Sequence, residues 1–129
     1  MKKIAVGLAA TLALSACMTN SAQNTEGETR LARLIEGRIA GEPMRCLNGV
    51  RSDRVQVIDG VGLVYDAGDT IYVARAADPR ELRRTDALVL DRLSTGRLCT
   101  DDVRFTIDRN QGNVTGPVFL SDFVPYRRP

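Results

Sequence analysis

The chain contains no histidine and no tryptophan, and Lys2 and Lys3 are its only lysines. Without histidine there is no base for a Ser-His or Cys-His nucleophile and no imidazole ligand for a metal. Beyond Lys3 there is also no lysine for a Ser-Lys dyad or a Schiff base. The sequence therefore lacks the side chains on which most nucleophilic enzymes depend.

Basic residues in the rest of the chain are balanced by acidic ones and form no long run. After Cys17 every basic residue is an arginine, and the sixteen arginines are balanced by sixteen aspartates and glutamates. The densest basic groups are the pairs Arg83-Arg84 and Arg127-Arg128. Nucleic-acid binding depends on a concentrated basic surface that neutralises phosphates. We therefore predict that the protein has no nucleic-acid partner.

Residues 1–16 have the pattern of a signal peptide. Lys2 and Lys3 form a short positive region, and residues 4–14 form an apolar run. This run is too short to cross a bilayer as a helix, which needs roughly 20 apolar residues. Residues 14–17, Leu-Ser-Ala-Cys, resemble a bacterial lipobox. The resemblance implies cleavage before Cys17, a diacylglycerol on its thiol and an acyl chain on the new amine.

The residues after this site predict a destination and a tether. Met18 stands where an aspartate would indicate retention in the inner membrane, so we expect an outer-membrane lipoprotein that faces the periplasm. Residues 17–28 are mostly small and polar, which predicts a lipidated flexible tether before a single domain over residues 29–129. The alternative is an ordinary signal peptide, after which Cys17 carries no lipid.

Lipidation of Cys17 would account for the odd number of cysteines. Cys46 and Cys99 then remain, and a pair of cysteines in an oxidising periplasm predicts one disulfide bond. The bond would close a loop of about 54 residues and stabilise the domain by about 4 kcal/mol through loop entropy. There is no CxxC redox motif, and two cysteines without histidine make a poor zinc site. We therefore predict no metal and no cofactor.

A short amphipathic pattern begins the domain. Leu31, Leu34 and Ile35 lie on one face at helical spacing. Thr25 and Glu28 have the spacing of a capping box at the start of a helix. Because so short a helix is marginal in isolation, we expect one short N-terminal helix that docks on the rest of the domain.

The remainder of the domain has the pattern of short β-strands. Residues 60–65 and 70–74 are rich in apolar and β-branched residues and flank Asp-Ala-Gly-Asp at 66–69, which predicts a hairpin. Residues 87–90 fit either a strand or part of a short helix. With about five to seven short strands between turns, the predicted fold is mainly β: a small antiparallel sheet, sandwich or barrel with one short N-terminal helix.

Residues 103–108 alternate between apolar and polar side chains. Val103, Phe105 and Ile107 are separated by polar residues, and successive residues of a strand point to opposite faces of a sheet. We therefore expect these three side chains to face the core and the polar ones to face solvent.

Four short motifs are spread over the domain: RCL at 45–47, RLC at 97–99, DDV at 101–103 and FVPY at 123–126. Together they resemble a family of small, uncharacterised proteobacterial exported proteins, classed only as a domain of unknown function. The resemblance covers about residues 44–126 and implies no activity. Members often carry two further cysteines, which would fall near residues 77–80 and near Ser121. This chain lacks both, and if those two pair with each other, their joint absence fits a remaining bond between Cys46 and Cys99.

Carboxylates are the remaining candidates for chemistry. Asp101, Asp102 and Asp108 could in principle serve a glycosidase or hold a hard cation. Adjacent aspartates after a cysteine are, however, typical of a turn, and the aromatic side chains that would support a sugar are scarce. We therefore predict no catalytic residue.

These observations predict a bacterial envelope lipoprotein that is not an enzyme and acts as an interaction or structural module. Its partners would be the membrane, through the lipid anchor, and an envelope protein. A periplasmic binding or inhibitor protein is the alternative, by analogy with other small disulfide-bonded β lipoproteins. A carboxylate-based hydrolase is the third and least favoured hypothesis.

The first testable prediction is that Cys17→Ala releases the protein from the membrane. Several acyl chains give stable attachment, whereas a single chain binds only marginally. Intact-mass analysis of wild-type protein from the membrane fraction should give a chain that starts at Cys17 and carries acyl groups. Met18→Ala preserves the Leu-Ser-Ala-Cys motif and is the matched control that should stay membrane-bound. A Cys17→Ala protein that stays tightly held in that fraction would contradict lipidation.

Overall fold

A computed structural model describes residues 19–82, 86–90 and 96–129 of the chain. The predicted signal peptide at 1–16 and the predicted lipidation site Cys17 lie outside the described residues. The described chain has three antiparallel sheets and one α-helix near its N-terminal end, so the prediction of a mainly β fold with one such helix is confirmed. In this part of the chain no helix is both long enough and apolar enough to cross a membrane.

The helix α1 covers Thr19–Leu34. The strands are β1 (Ile39–Ala40), β2 (Cys46–Asn48), β3 (Val55–Ile58), β4 (Gly62–Asp66), β5 (Thr70–Arg75), β6 (Asp86–Leu90), β7 (Arg97–Cys99), β8 (Val103–Asp108), β9 (Val114–Pro117) and β10 (Val124–Arg127). Short 3₁₀ turns lie at Ser52–Arg54, Pro79–Glu81 and Thr100–Asp102. Residues 87–90, which fitted either a strand or a helix in sequence, belong to β6.

The described strands form three separate sheets rather than one closed sheet. Five strands have the order β1-β10-β5-β4-β3, β2 pairs with β7, and the third sheet has the order β6-β8-β9. The predicted hairpin is the pair β4–β5, in whose turn the Asp66 carboxylate accepts from Gly68 N at 2.8 Å. Gly68 has a φ of 93°, a left-handed conformation that glycine adopts without a Cβ clash.

The β4–β5 hairpin is buried on both of its faces. Leu63 and Ala74 lie opposite each other on one face, and Val64 and Val73 do so on the other. All four side chains are almost completely buried. A strand that is covered on both sides reads as a continuous apolar run rather than an alternating one. The five-stranded sheet therefore needs a cover on each side.

Two hydrophobic clusters supply these covers. The helix-side cluster lies between α1 and the sheet, and its buried members are Leu31, Ile58, Val61, Val64, Ile71 and Val73. The second cluster joins the hairpin to the other two sheets, and its buried members are Leu47, Val50, Leu63, Tyr65, Ala74, Leu82, Leu98, Val103, Val118 and Phe123. The hairpin thus contributes one face to each cluster.

The second half of α1 is fixed by three different contacts. Leu31 is buried in the helix-side cluster. Gly27 lies so close to Asp59 that a Cβ atom at position 27 would collide with the Asp59 carbonyl oxygen. Glu28 forms an ion pair with Arg75 of β5, in which Oε1 lies 2.5 Å from Nη1. This hydrogen bond to Glu28 raises the pKa of Arg75, although partial burial opposes the shift.

The helix begins earlier than the sequence predicts. Residues 17–28 have the composition of a flexible tether, yet α1 starts at Thr19. Thr25 is therefore inside the helix, where its carbonyl oxygen accepts from Thr29 Oγ1 at 2.8 Å. The predicted capping box is wrong, because the Glu28 carboxylate binds an arginine of the sheet instead. The docked second half of α1 supplies the helix nucleus. The turns before it can therefore form without the nucleation cost that a free polar segment would have to overcome.

The predicted alternation of β8 fails after its first residue. Val103 is buried as expected, but Thr106 is fully buried while Phe105 and Ile107 are only half-buried. The pairing register with β6 shifts between Val103 and Phe105, which accommodates one extra residue as a bulge. An extra residue moves every later side chain to the opposite face. Thr106 therefore turns inward, where its hydroxyl lies 2.7 Å from Thr115 Oγ1.

The second prediction is that Gly27→Ala lowers the free energy of unfolding by about 1–3 kcal/mol, the usual cost of overpacking. Alanine normally stabilises a helix interior by about 1 kcal/mol relative to glycine. The collision with Asp59 should instead make alanine destabilising at position 27. Gly116→Ala is the matched control, because a Cβ there meets nothing within 4 Å. Urea unfolding followed by circular dichroism measures both variants. Equal or higher stability of Gly27→Ala would contradict this packing.

Candidate functional site

The pair β2–β7 is closed by a disulfide between Cys46 and Cys99. The two cysteines lie directly opposite each other with Cα atoms 4.0 Å apart, so the predicted bond is present. Thr100 N donates to Arg45 O at 3.0 Å on one side of the cysteines. This pattern marks a non-hydrogen-bonded pair, the position at which facing side chains are closest. The bond therefore ties Arg45 and Thr100 into one rigid corner.

A groove of about 360 Å³ opens beside this corner. Its lining comes from two stretches that are distant in sequence: Arg45, Thr100, Asp101, Val103, Val118, Phe119, Leu120 and Asp122. We call it the Phe119 groove. The buried members Thr100, Val103 and Val118 form its floor. The exposed members form a rim that is charged and aromatic.

Residues 118–122 form one lip of the groove, and their backbone is fixed. Phe119 O accepts from Ala77 N at 2.8 Å, and Ser121 N donates to Arg75 O at 2.8 Å. Ser121 Oγ also accepts from Arg75 N at 3.0 Å. The lip is thus bound along the end of β5 and the residues that follow it. The groove is preformed on this side as well as on the disulfide side.

Phe119 is one of only three phenylalanines in the chain, and it is exposed to solvent. Its side chain is 67% exposed, whereas Phe123 is completely buried. Neighbouring side chains of an extended segment point to opposite sides, and the adjacent Val118 takes the inward direction. An aromatic side chain on a fixed backbone loses little conformational entropy on binding, since only two χ angles become ordered. Phe119 thus has the properties of an interface anchor.

Among the described residues, three charged ones accompany Phe119 on the rim: Arg45, Asp101 and Asp122. Within the described part of the chain, their side chains make no hydrogen bond or ion pair. Other arginines on the surface do bind a nearby acid, as Arg51 binds Asp53 at 3.1 Å. Among the described residues, the rim therefore carries two carboxylates and one guanidinium that no ion pair neutralises.

The three candidate carboxylates of the sequence are not brought together as a reaction centre. Asp102 Oδ2 accepts from Cys99 N at 2.9 Å and holds the 3₁₀ turn, as expected for adjacent aspartates in a turn. Asp108 Oδ1 accepts from Asn110 N at 2.7 Å in the turn after β8. Of the three, Asp101 alone lines the groove. The second carboxylate of the groove belongs instead to Asp122, which the sequence analysis did not single out.

Two ion pairs with shifted pKa values lie outside the groove lining. A hydrogen bond from Arg80 lowers the pKa of the Asp78 carboxyl, and one to Glu28 raises the pKa of Arg75. Asp78 also accepts from Arg80 N, which starts the 3₁₀ turn that follows. The first pair therefore supports a local turn, and the second joins α1 to β5. Across the described ranges no group of three or more His, Cys, Asp or Glu residues could hold a metal ion.

Comparisons with protein-family models, with curated proteins and with solved structures found no match to this chain. The resemblance of residues 44–126 to the exported family therefore stays a prediction. The signal peptide, the lipid on Cys17 and the envelope location stay predictions as well. Of the features predicted for an exported protein, the structure contains the disulfide bond between Cys46 and Cys99.

Sequence reasoning singled out some members of the site and missed its centre. Cys46, Cys99 and Asp101 were recognisable from residue type and spacing. Phe119 was not, because it lies in a Val-Phe-Leu run that resembles an ordinary buried strand. Its exposure follows from how residues 118–122 pair with the end of β5, and no local pattern encodes that pairing.

The third prediction is that Cys46→Ser lowers the free energy of unfolding by about 4 kcal/mol under oxidising conditions, because the bond spans a long loop. Chemical denaturation of the mature chain measures the change. Reductant should lower the stability of the wild type towards that of the variant and should affect the variant little. Cys46→Ser/Cys99→Ser is the control for any effect of a free thiol. An unchanged denaturation midpoint in both variants would contradict a stabilising bond.

Proposed function

We propose that this protein is a lipid-anchored protein of the bacterial envelope that binds another envelope component and does not catalyse a reaction. The Phe119 groove carries the proposal. It combines an exposed aromatic on a fixed backbone with a buried floor and with charged side chains that make no ion pair among the described residues. Binding energy at interfaces concentrates in such aromatic anchors and the charged groups beside them.

The sequence around Cys17 supports the anchor. If Cys17 is lipidated, the lipid lies two residues before Thr19, the first described residue, which already belongs to α1. At a rise of about 1.5 Å per residue, the docked Gly27 would lie about 12 Å along the helix from its start. The domain would therefore stand close to the membrane rather than at the end of a long tether. Met18 in place of an aspartate favours the outer membrane, with the domain in the periplasm.

The positions of the carboxylates support a role without catalysis. Asp102 and Asp108 accept backbone hydrogen bonds that hold turns. Asp101 stands on an exposed rim and has no hydrogen-bond partner among the described residues. A general acid or base normally works with a neighbouring group that sets its protonation and orientation.

Inhibition of an envelope hydrolase is a second form of the same proposal. The specific observation in its favour is the exposure of Phe119 on a lip whose backbone is hydrogen-bonded at Phe119 and Ser121. A rigid aromatic of this kind can enter the cleft of an enzyme with little loss of entropy.

Site-specific photocrosslinking in the native host tests the binding role, and its outcome is the fourth prediction. A benzophenone side chain at position 119 should capture a defined envelope protein. The same probe at Val114 should not, because Val114 is similarly exposed, at 61%, but lies outside the groove lining. Capture should weaken in a Cys17→Ala background, since the anchor raises the local concentration of the domain at the membrane.

Equal cross-linking from positions 119 and 114, or capture from neither, would contradict a binding role for the groove. Turnover of an envelope glycan or phosphoester by the purified mature chain would contradict the non-enzymatic role. Loss of hydrolase activity in a captured partner would support the inhibitor form of the proposal.

A further inference from the structure

We infer that the Phe119 groove recognises a polypeptide segment that presents apolar side chains beside a lysine or arginine. The inference rests on the proposed function and specifies the chemistry of the partner at that same site. Three features of the groove lead to it: the shape and polarity of its floor, the balance of charge on its rim, and the rigidity of its two sides.

The floor of the groove suits an apolar side chain. Val103 and Val118 are buried there, and the half-buried Leu120 and the exposed Phe119 continue the apolar surface to the rim. A volume of about 360 Å³ lies in the lower part of the range for ligand sites. Because the rim residues are themselves exposed, the groove is open to solvent along its rim. It can receive side chains from a segment that crosses it.

The rim selects for positive charge on that segment. Among the lining residues that the structure describes, Asp101 and Asp122 contribute two carboxylates and Arg45 contributes one guanidinium, so this described part of the rim has an excess of one negative charge. None of these side chains is neutralised by an ion pair within the described residues. A basic side chain would meet two opposite charges and one like charge there. An acidic side chain would meet two like charges and one opposite charge. Charge complementarity of this kind sets partner choice and association rate.

Both sides of the groove are held before any partner arrives. The disulfide and the hydrogen bond from Thr100 N to Arg45 O fix one side. The backbone bonds of Ser121 to Arg75, at the end of β5, and of Phe119 to Ala77 fix the other. Binding therefore requires ordering of a few rim side chains rather than of a loop, which lowers the entropic cost of association.

Fluorescence anisotropy with labelled peptides tests the inference and is the fifth prediction. Three peptides of about ten residues share a Gly-Ser background and carry Leu-Lys-Leu, Leu-Glu-Leu or Ser-Lys-Ser at the centre. The mature chain is used in uncharged detergent micelles, and micelles without protein provide the baseline. We expect the Leu-Lys-Leu peptide to bind at least about tenfold more tightly than either of the others.

Substitutions on the rim should remove this preference. Phe119→Ala and Asp101→Asn/Asp122→Asn should each weaken binding of Leu-Lys-Leu by about tenfold or more. The matched controls are Val114→Ala and Asp53→Asn/Asp69→Asn, which remove an exposed apolar side chain and two exposed acids outside the groove lining. These controls should leave the dissociation constant unchanged.

Equal or tighter binding of Leu-Glu-Leu, or binding that survives Phe119→Ala, would overturn the inference. Capture of a second copy of this chain by the probe at position 119 would also overturn it, because the groove would then serve self-association. The photocrosslinking experiment assumes nothing about the charge of the partner. A specific cross-link at position 119 together with failure of all three peptides would therefore overturn this inference and leave the proposed function standing.

Discussion

Burial of the β4–β5 hairpin on both faces is the constraint on which the rest of the structure depends. Val64 and Val73 face the helix side, and Leu63 and Ala74 face the other two sheets. Each face left in water would cost about 25 cal/mol for every Å² of apolar surface. A domain of this size has little surplus core to offset that cost. The helix on one side and the smaller sheets on the other are therefore both required for the fold.

Arg75, the last residue of β5, connects this core to the surface features. Its guanidinium binds Glu28 of α1, while its backbone N–H and carbonyl bond to Ser121 on the lip of the groove. The side chain of a strand residue points out of the plane of the sheet, whereas its backbone N–H and C=O groups lie in that plane. One residue can therefore contact both α1 and the lip of the groove. The helix α1 and the segment that carries Phe119 thus share one support.

Local chemistry made much of the strand pattern predictable. The Asp-Ala-Gly-Asp turn between two apolar runs predicted the β4–β5 hairpin, and alternation over residues 103–108 predicted a strand. The errors arose where a contact distant in sequence overrides the local pattern. A bulge opposite β6 turned Thr106 inward in place of Phe105, and docking of α1 extended the helix into a stretch with the composition of a tether.

The sequence by itself determined the side-chain inventory, the strand-rich fold and the pairing of Cys46 with Cys99, because residue counts and short-range patterns carry that information. Only the tertiary structure decided which side of residues 118–122 faces solvent and that this segment lies beside Arg45 and Asp101. Burial is the sum of contacts made by residues far apart in the chain. The same Val-Phe-Leu run would be core in one pairing and rim in another, so the exposure of Phe119 exists only once the sheets have assembled.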